Sequence, residues 1–288
     1  MDHTYEEIYY DVFSNLKKAY ADIFLCGGAS SKKETSYRDL LREELKKRKR
    51  LSILYPEDLF VELLNRKKYD LLTLERFLAL NCDYIIIVCE SPGSFAELGA
   101  FVNNNETLDK VIVLLQTKYK NAKSFIRQGP TQFVLSKNKN HVIFYNKKIL
   151  EVADQIYKLV IPKYSKRDVG ISFKDLNTIS GQYYFILFLL FFYSNYETNK
   201  LIEAIKSLYS SRGFPLNEFD LLYKAAIKRL FKEGLLKKST LNSEANYYLL
   251  TEKGYQTTYD LLSYVDIIHR TKVFDNIRLK IMNNKQKD

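Results

Sequence analysis

The stretch ESPGSFAELGAF, Glu90 to Phe101, sets two carboxylates, Glu90 and Glu97, around a Pro-Gly turn and two serines. It follows an apolar strand-like run and opens an apolar helix, and two readings fit it. Ser94 and Glu97, three residues apart, have the spacing of a capping box, in which the glutamate serves only the backbone. Alternatively, Glu97 faces a ligand beyond the end of a strand, where open α/β sheets bind small molecules. A carboxylate there suits the cleavage of an N-glycosidic bond. The transition state resembles a ribosyl oxocarbenium ion, which a nearby carboxylate stabilises by charge or traps as an ester, much as paired carboxylates act in glycosidases. Glu97 then stands beside the anomeric carbon, and Asp83 and Glu90 orient the sugar hydroxyls or the leaving base.

Other chemistries have little to draw on. The chain has three histidines, His3, His141 and His269, scattered along its length, so a His-based zinc site or a Ser-His-Asp triad is not expected. Cys26, Cys82 and Cys89 lie in or beside apolar runs without CxxC spacing and read as buried free thiols of a reducing cytosol. GGASSKK lacks Walker A spacing and CGGASS is not a dinucleotide fingerprint.

The elements that must position these residues alternate. DIFLC (22–26) is a strand ending at Gly27 and Gly28, and YRDLLREELKKRKR (37–50) is an amphipathic helix. LSILYPED holds a second strand that ends at Pro56, LLTLERFLAL (71–80) is a second helix, and DYIIIV (83–88) a strand buried on both faces. A helix from Ser94, strands at 110–115 and 141–145 and a helix at 150–160 follow. This order predicts an α/β domain with a parallel sheet over 1–161. Three strand ends then converge on one crevice: Gly27 and Gly28; Tyr55, Glu57 and Asp58; and Glu90, Ser91, Gly93, Ser94 and Glu97. The glycines admit a ligand close to the backbone, and the helix start offers N–H groups to a phosphate or ribose oxygen. Glu57 and Asp58 could equally start a helix after Pro56, and Tyr55 could simply pack.

PKYSKRD (162–168) reads as a linker, and residues 162–288 form a second, largely helical domain. YYFILFLLFFY (183–193) is too short to span a bilayer and is expected as a buried helix. Beyond it, two helices (199–209 and 217–233) and two short strands joined by a polar turn give the layout of a winged helix-turn-helix. Lys224, Lys228 and Lys232 fall at i, i+4, i+8, flanked by Arg229, Lys237 and Lys238, with Arg212 in the preceding turn. Such a stripe can lie along phosphates, or it can be a solvated face of a partner-docking domain. The net charge of +11 favours an anionic partner, nucleic acid before membrane. The acidic, aromatic N-terminus shows no export signal, so a cytoplasmic protein is expected.

FLCGG, YPEDLF, LLTLE, ESPGSFAELGAF and SFIRQGP, with the tail VFDNIRLKIMNN, resemble the nucleoside-deoxyribosyltransferase-like effectors of bacterial retrons. The likeness is dense from Asp22 to Pro130 and returns at the C-terminus. It implies a flavodoxin-like, nucleoside-deoxyribosyltransferase-like sheet domain followed by a winged-helix domain. It also implies a toxin, held in check by a retron reverse transcriptase and its branched RNA–DNA product (msDNA with its msr RNA), that cleaves a nucleotide once phage infection releases it. NAD would be its substrate, with no metal or redox cofactor, and filament or other higher-order assembly is implied as well. Glu97 takes the place of the catalytic glutamate, and Gly27, Gly28, Pro56, Glu57, Asp58, Ser91, Gly93 and Ser94 take the places of the nucleotide pocket. Asp83 stands where the wider superfamily has an acidic residue opening the third strand. The basic stretch ASSKKETSYRD departs from the family. Two rivals are a nucleoside-monophosphate phosphoribohydrolase, whose Gly-Gly-x-Gly-Thr turn is replaced here by Gly-Ser-Phe, and a winged-helix regulator that senses a nucleotide without turnover.

Overall fold

The computed structural model describes residues 3–17, 20–55, 70–146, 148–161, 174–241 and 245–286. The chain divides into two compact units, Tyr20–Val169 and a second made of Met1–Ala19 with Gly170–Asp288. The division expected was at 161/162; here the boundary falls at Val169 and Gly170, and the N-terminal helix α1 (Thr4–Glu7) and the turns after it group with the C-terminal part. Their aromatic residues are the cause. The Tyr9 hydroxyl donates to Asp175 at 2.6 Å, and the rings of Tyr9 and Phe13 pack on Phe185 at 5.7 and 5.2 Å.

In the sheet unit, β1 (Ala21–Cys26), β2 (Leu51–Leu54), β3 (Tyr84–Val88), β4 (Val111–Gln116) and β5 (Val142–Tyr145) form a parallel sheet in the order β2-β1-β3-β4-β5. Its helices are α2 (Tyr37–Lys46), α3 (Leu71–Asn81), α4 (Pro92–Val102), α5 (Phe125–Gln128), α6 (Pro130–Lys137) and α7 (Ile149–Val160). On one face, Ile23, Leu25, Ile86, Val88 and Leu114 pack with Leu41 and Leu45 of α2 and Ile156 of α7. Strand side chains alternate, so Phe24 points the other way and meets Phe101 of α4, ring centroids 5.9 Å apart. Both faces are therefore covered, which is why β1, β3 and β4 read as unbroken apolar runs. The order reverses between β1 and β3, so α2 and α4 leave onto opposite faces and open a crevice at the carboxyl ends of those strands.

In the other unit, every residue of α8 (Ile179–Tyr193) is buried, which explains an apolar run with no polar face. Among the described residues no helix is long and apolar enough to cross a membrane. β6 (Asn195–Glu197), α9 (Thr198–Ser211), α10 (Phe219–Lys232), β7 (Leu236–Leu241) and β8 (Ala245–Leu250) follow, then α11 (Glu252–Leu262) and α12 (Arg270–Lys285). The three strands form an antiparallel sheet in the order β6-β8-β7.

Candidate active site

At the end of β1, Gly27 has φ +152°, and a Cβ there would come within 2.9 Å of the Arg38 Cβ and 3.1 Å of the Val88 Cβ. A glycine is needed because α2 crosses the ends of β1 and β3 at this point. The loop that follows is tied to α2. Both the backbone N–H and the hydroxyl of Ser30 donate to Asp39, and the Ser36 N–H donates to the Ser30 hydroxyl at 2.9 Å. Asp39 also accepts from the Tyr55 hydroxyl and from Arg38 Nε, each at 3.2 Å. Burial works against the Asp39 charge, but the Ser30 hydroxyl and the Arg38 guanidinium outweigh it and hold the carboxyl below the usual range. Tyr55 packs, its ring lying under the guanidiniums of Arg42 and Arg38 at 3.8 and 4.5 Å.

The helix expected from Ser94 begins at Pro92. Its N-cap is Ser91, whose hydroxyl accepts the Ser94 N–H at 3.3 Å, and the Ser94 hydroxyl accepts the Ser91 N–H in return at 3.1 Å. This Ser-Ser pair is the capping box. Ser94 is thereby buried and committed to backbone, and Pro92 brings no N–H, so less of this helix start faces a ligand than the sequence suggested. The shift in register moves Glu97 into the second turn, where the cap has no use for it. Burial first, and then the negative charge of Glu97, push the thiol of Cys26 up and that of Cys89 up to about 12. Cys26 ends β1 and Cys89 follows β3, so the charge of Glu97 acts near the carboxyl ends of those two strands.

Glu90 is held by the backbone. Its two carboxylate oxygens accept the backbone N–H groups of Tyr37 and Arg38, at 2.9 and 3.0 Å. These are the first residues of α2, whose unpaired N–H groups and positive dipole end suit an anion. Beside it lies a cleft of about 830 Å³ whose walls include Gly28, Tyr37, Glu90, Ser91, Lys118 and Tyr145. Tyr37 and Tyr145 stack there, with centroids 4.2 Å apart. Glu97 is not among the cleft-lining residues.

Of the remaining expected site residues, Gly27, Gly28, Ser91 and Gly93 gather at the carboxyl edge. Asp83 does not join them: it precedes β3, at the opposite edge, where its side chain accepts the Asp22 N–H at 2.8 Å. Pro56, Glu57 and Asp58 lie outside the described residues. Sequence reasoning overlooked Glu75 of α3, a buried carboxylate whose charge also reaches Cys26; its only signal was the quoted LLTLE. Nor could local spacing pair Tyr37 with Tyr145. Among the described residues no group of three or more His, Cys, Asp or Glu side chains converges as metal ligands would.

In the other unit, Lys224, Lys232, Lys237 and Lys238 are exposed and Lys228 is half-buried. Arg229 is not part of that face. It is buried, its Nε donating to Glu233 at 2.8 Å and its guanidinium lying 4.2 Å from the Tyr183 ring centroid. Arg212 pairs with Asp175 at 3.1 Å.

A family model described as the STM3845 retron effector protein matches residues 34–239. Two relatives from Escherichia coli are similar over most of the chain. One, named as the ribosyltransferase/DNA-binding protein of retron Ec86, is 32% identical over 274 residues, which is 91% of this chain and 84% of the relative. The other carries the same name for retron Ec73 and is 31% identical over 221 residues, 69% of each chain.

Proposed function

The chain belongs to the STM3845 retron effector protein family, and from that premise we propose that it is the toxic effector of an anti-phage retron whose sheet unit cleaves the N-glycosidic bond of NAD. The observation that carries this reading is the Ser91–Ser94 cap, which leaves Glu97 without a capping role while its charge is felt by Cys26 and Cys89. In the reaction, the C1′–N bond breaks and its electron pair leaves with the base. Glu97 stabilises the ribosyl cation by charge or closes on C1′ as an ester, and water then adds to C1′, gives up a proton and frees the carboxylate. Names of both relatives include ribosyltransferase, which supports this chemistry.

NAD suits the chain better than a nucleoside for a chemical reason. Nicotinamide departs from its positively charged glycosidic nitrogen as a neutral base and needs no proton, whereas a purine leaves more readily with a general acid. Histidine is poorly placed to be that acid. His141 precedes β5, at the far edge of the sheet, with Nδ1 3.0 Å from the Val111 carbonyl oxygen. The reaction requires no metal or redox cofactor.

The strand order β2-β1-β3-β4-β5 supports a flavodoxin-like, nucleoside-deoxyribosyltransferase-like domain. The succession α8, β6, α9, α10, β7, β8 with sheet order β6-β8-β7 supports a winged helix-turn-helix, in which α10 and the β7 lysines meet nucleic acid. The partners in this reading are the retron reverse transcriptase and msDNA, which hold the toxin inactive and could assemble with it into filaments. Cells expressing the chain without those partners should stop growing, and Glu97→Gln should restore growth. Equal toxicity of the two proteins would overturn the role given to Glu97.

A further inference from the structure

Next to the cleft that Lys118 borders, the sheet unit carries a second surface. Residues 110–150 include nine Lys and Arg and no Asp or Glu. Within this segment large aromatic rings point to solvent: Phe125 is 82% exposed, Phe133 47% and Tyr119 40%. One exposed ring is ordinary; three in a short segment free of acidic residues are not. Cations lie against two of these rings and against Phe144. Arg127 donates from Nε to the Lys120 carbonyl oxygen and from Nη1 to Gln132 Oε1, each at 2.9 Å, and both Arg127 and Lys120 lie over the Phe144 ring. The Phe125 ring lies against Gly129, the residue that caps the start of α6, the helix that carries Phe133. Lys118 and Lys137 lie over the rings of Tyr119 and Phe133.

We infer that this face, built from the end of β4 and helices α5 and α6, is a binding site for single-stranded nucleic acid, separate from α10. Lysines and an anchored arginine neutralise phosphates, and exposed rings offer platforms on which unpaired bases stack. A duplex keeps its bases stacked internally and cannot use the rings. An anionic membrane would also attract the charge, but α5 is four residues long and offers no continuous apolar helix face to insert. The inference does not depend on NAD cleavage or on the winged helix.

The test uses the full chain and fluorescence anisotropy with three labelled probes: a single-stranded DNA 20-mer, the matching RNA and a DNA duplex. The variants are Phe125→Ala/Phe133→Ala and Lys120→Glu/Lys123→Glu, with Lys224→Glu/Lys232→Glu on α10 as the contrast. The aromatic double variant should weaken single-strand binding by about fivefold or more per ring, the low end of what one stacked base contributes, and leave duplex binding within about twofold. The charge variant should weaken the same binding and flatten its salt dependence. The DNA and RNA arms show which strand is preferred, and tighter binding of either to the wild type than to the aromatic variant supports the site. Single-strand binding that is unchanged in both sheet-unit variants would overturn it. So would loss confined to the α10 variant, or binding to phosphatidylserine vesicles without binding to oligonucleotides.

Discussion

Glu90 follows β3 and Arg38 opens α2, 52 residues apart in the chain, yet the Glu90 carboxylate accepts the Arg38 backbone N–H at 3.0 Å and the adjacent Tyr37 N–H at 2.9 Å. The end of β3 thereby holds the start of α2. That contact in turn sets the Gly28 loop, since a Cβ on Gly28 would approach the Glu90 Cγ to 3.3 Å. A carboxylate that borders the cleft is thereby also part of the frame of the crevice.

Glu90→Gln should therefore act on stability. The amide keeps one acceptor oxygen but turns an NH2 towards a backbone N–H and removes the charge at the helix end. A loss of about 1–2 kcal/mol is expected, read from denaturant unfolding of the full chain. Unchanged stability with lost base release would return Glu90 to the substrate.

Gly27→Ala meets the crossing of α2 and β3 directly. With φ at +152° and Cβ contacts of 2.9 and 3.1 Å to Arg38 and Val88, the substitution should cost about 1–3 kcal/mol. A crystal structure of the variant should show Arg38 displaced; an undisplaced Arg38 and unchanged melting would contradict this account of the loop.

Most of the sheet unit was legible in its sequence because burial on both faces writes strands as unbroken apolar runs, as in Tyr84–Val88. What stayed hidden depended on contacts distant along the chain. Ser94 and Glu97 have capping-box spacing, but Pro92 starts the helix earlier and Ser91 takes the cap, so the three-residue spacing alone named the wrong pair. Lys228 and Arg229 are neighbours in a basic stripe, yet helical geometry turns Arg229 inward onto Glu233 and Tyr183. Asp83 seemed to open a strand towards a ligand, while parallel topology puts every strand start at the edge away from the crevice. The polar tripeptide Asn195–Glu197 carries no strand signal of its own and exists as β6 only through its pairing with β8.

Alkaline pH should destabilise the sheet unit. Burial pushes the Cys89 thiol and the Tyr145 hydroxyl each up to about 12, and raises Cys26 as well. Unfolded, a cysteine titrates near about 8.5 and a tyrosine near about 10, so above those values the unfolded chain has released protons that the fold retains. The stabilisation is complete below about 8.5 and is lost as pH climbs towards 12. Melting temperature should fall over that window, and Cys26→Ala/Cys89→Ala should flatten the early part of the fall. A double variant with the same profile as wild type would remove the cysteines from the explanation.

Arg229→Ala and Lys224→Glu should separate fold from binding. The arginine variant strips a partner from Glu233 and a guanidinium from Tyr183, and should lower stability by about 2 kcal/mol. The exposed lysine variant should leave melting unchanged and weaken duplex DNA binding, measured by anisotropy at two salt concentrations. Equal effects on both readouts from both variants would contradict the placement of the two side chains.

The central claim is that Glu97 sits at the reacting centre. The direct measurement is chromatographic base release from NAD, nucleosides and nucleoside monophosphates by partner-free protein, comparing wild type with Glu97→Gln. The account predicts nicotinamide from the wild type and at least about a hundredfold less from a folded variant. Nicotinamide released equally by a folded Glu97→Gln protein would contradict it.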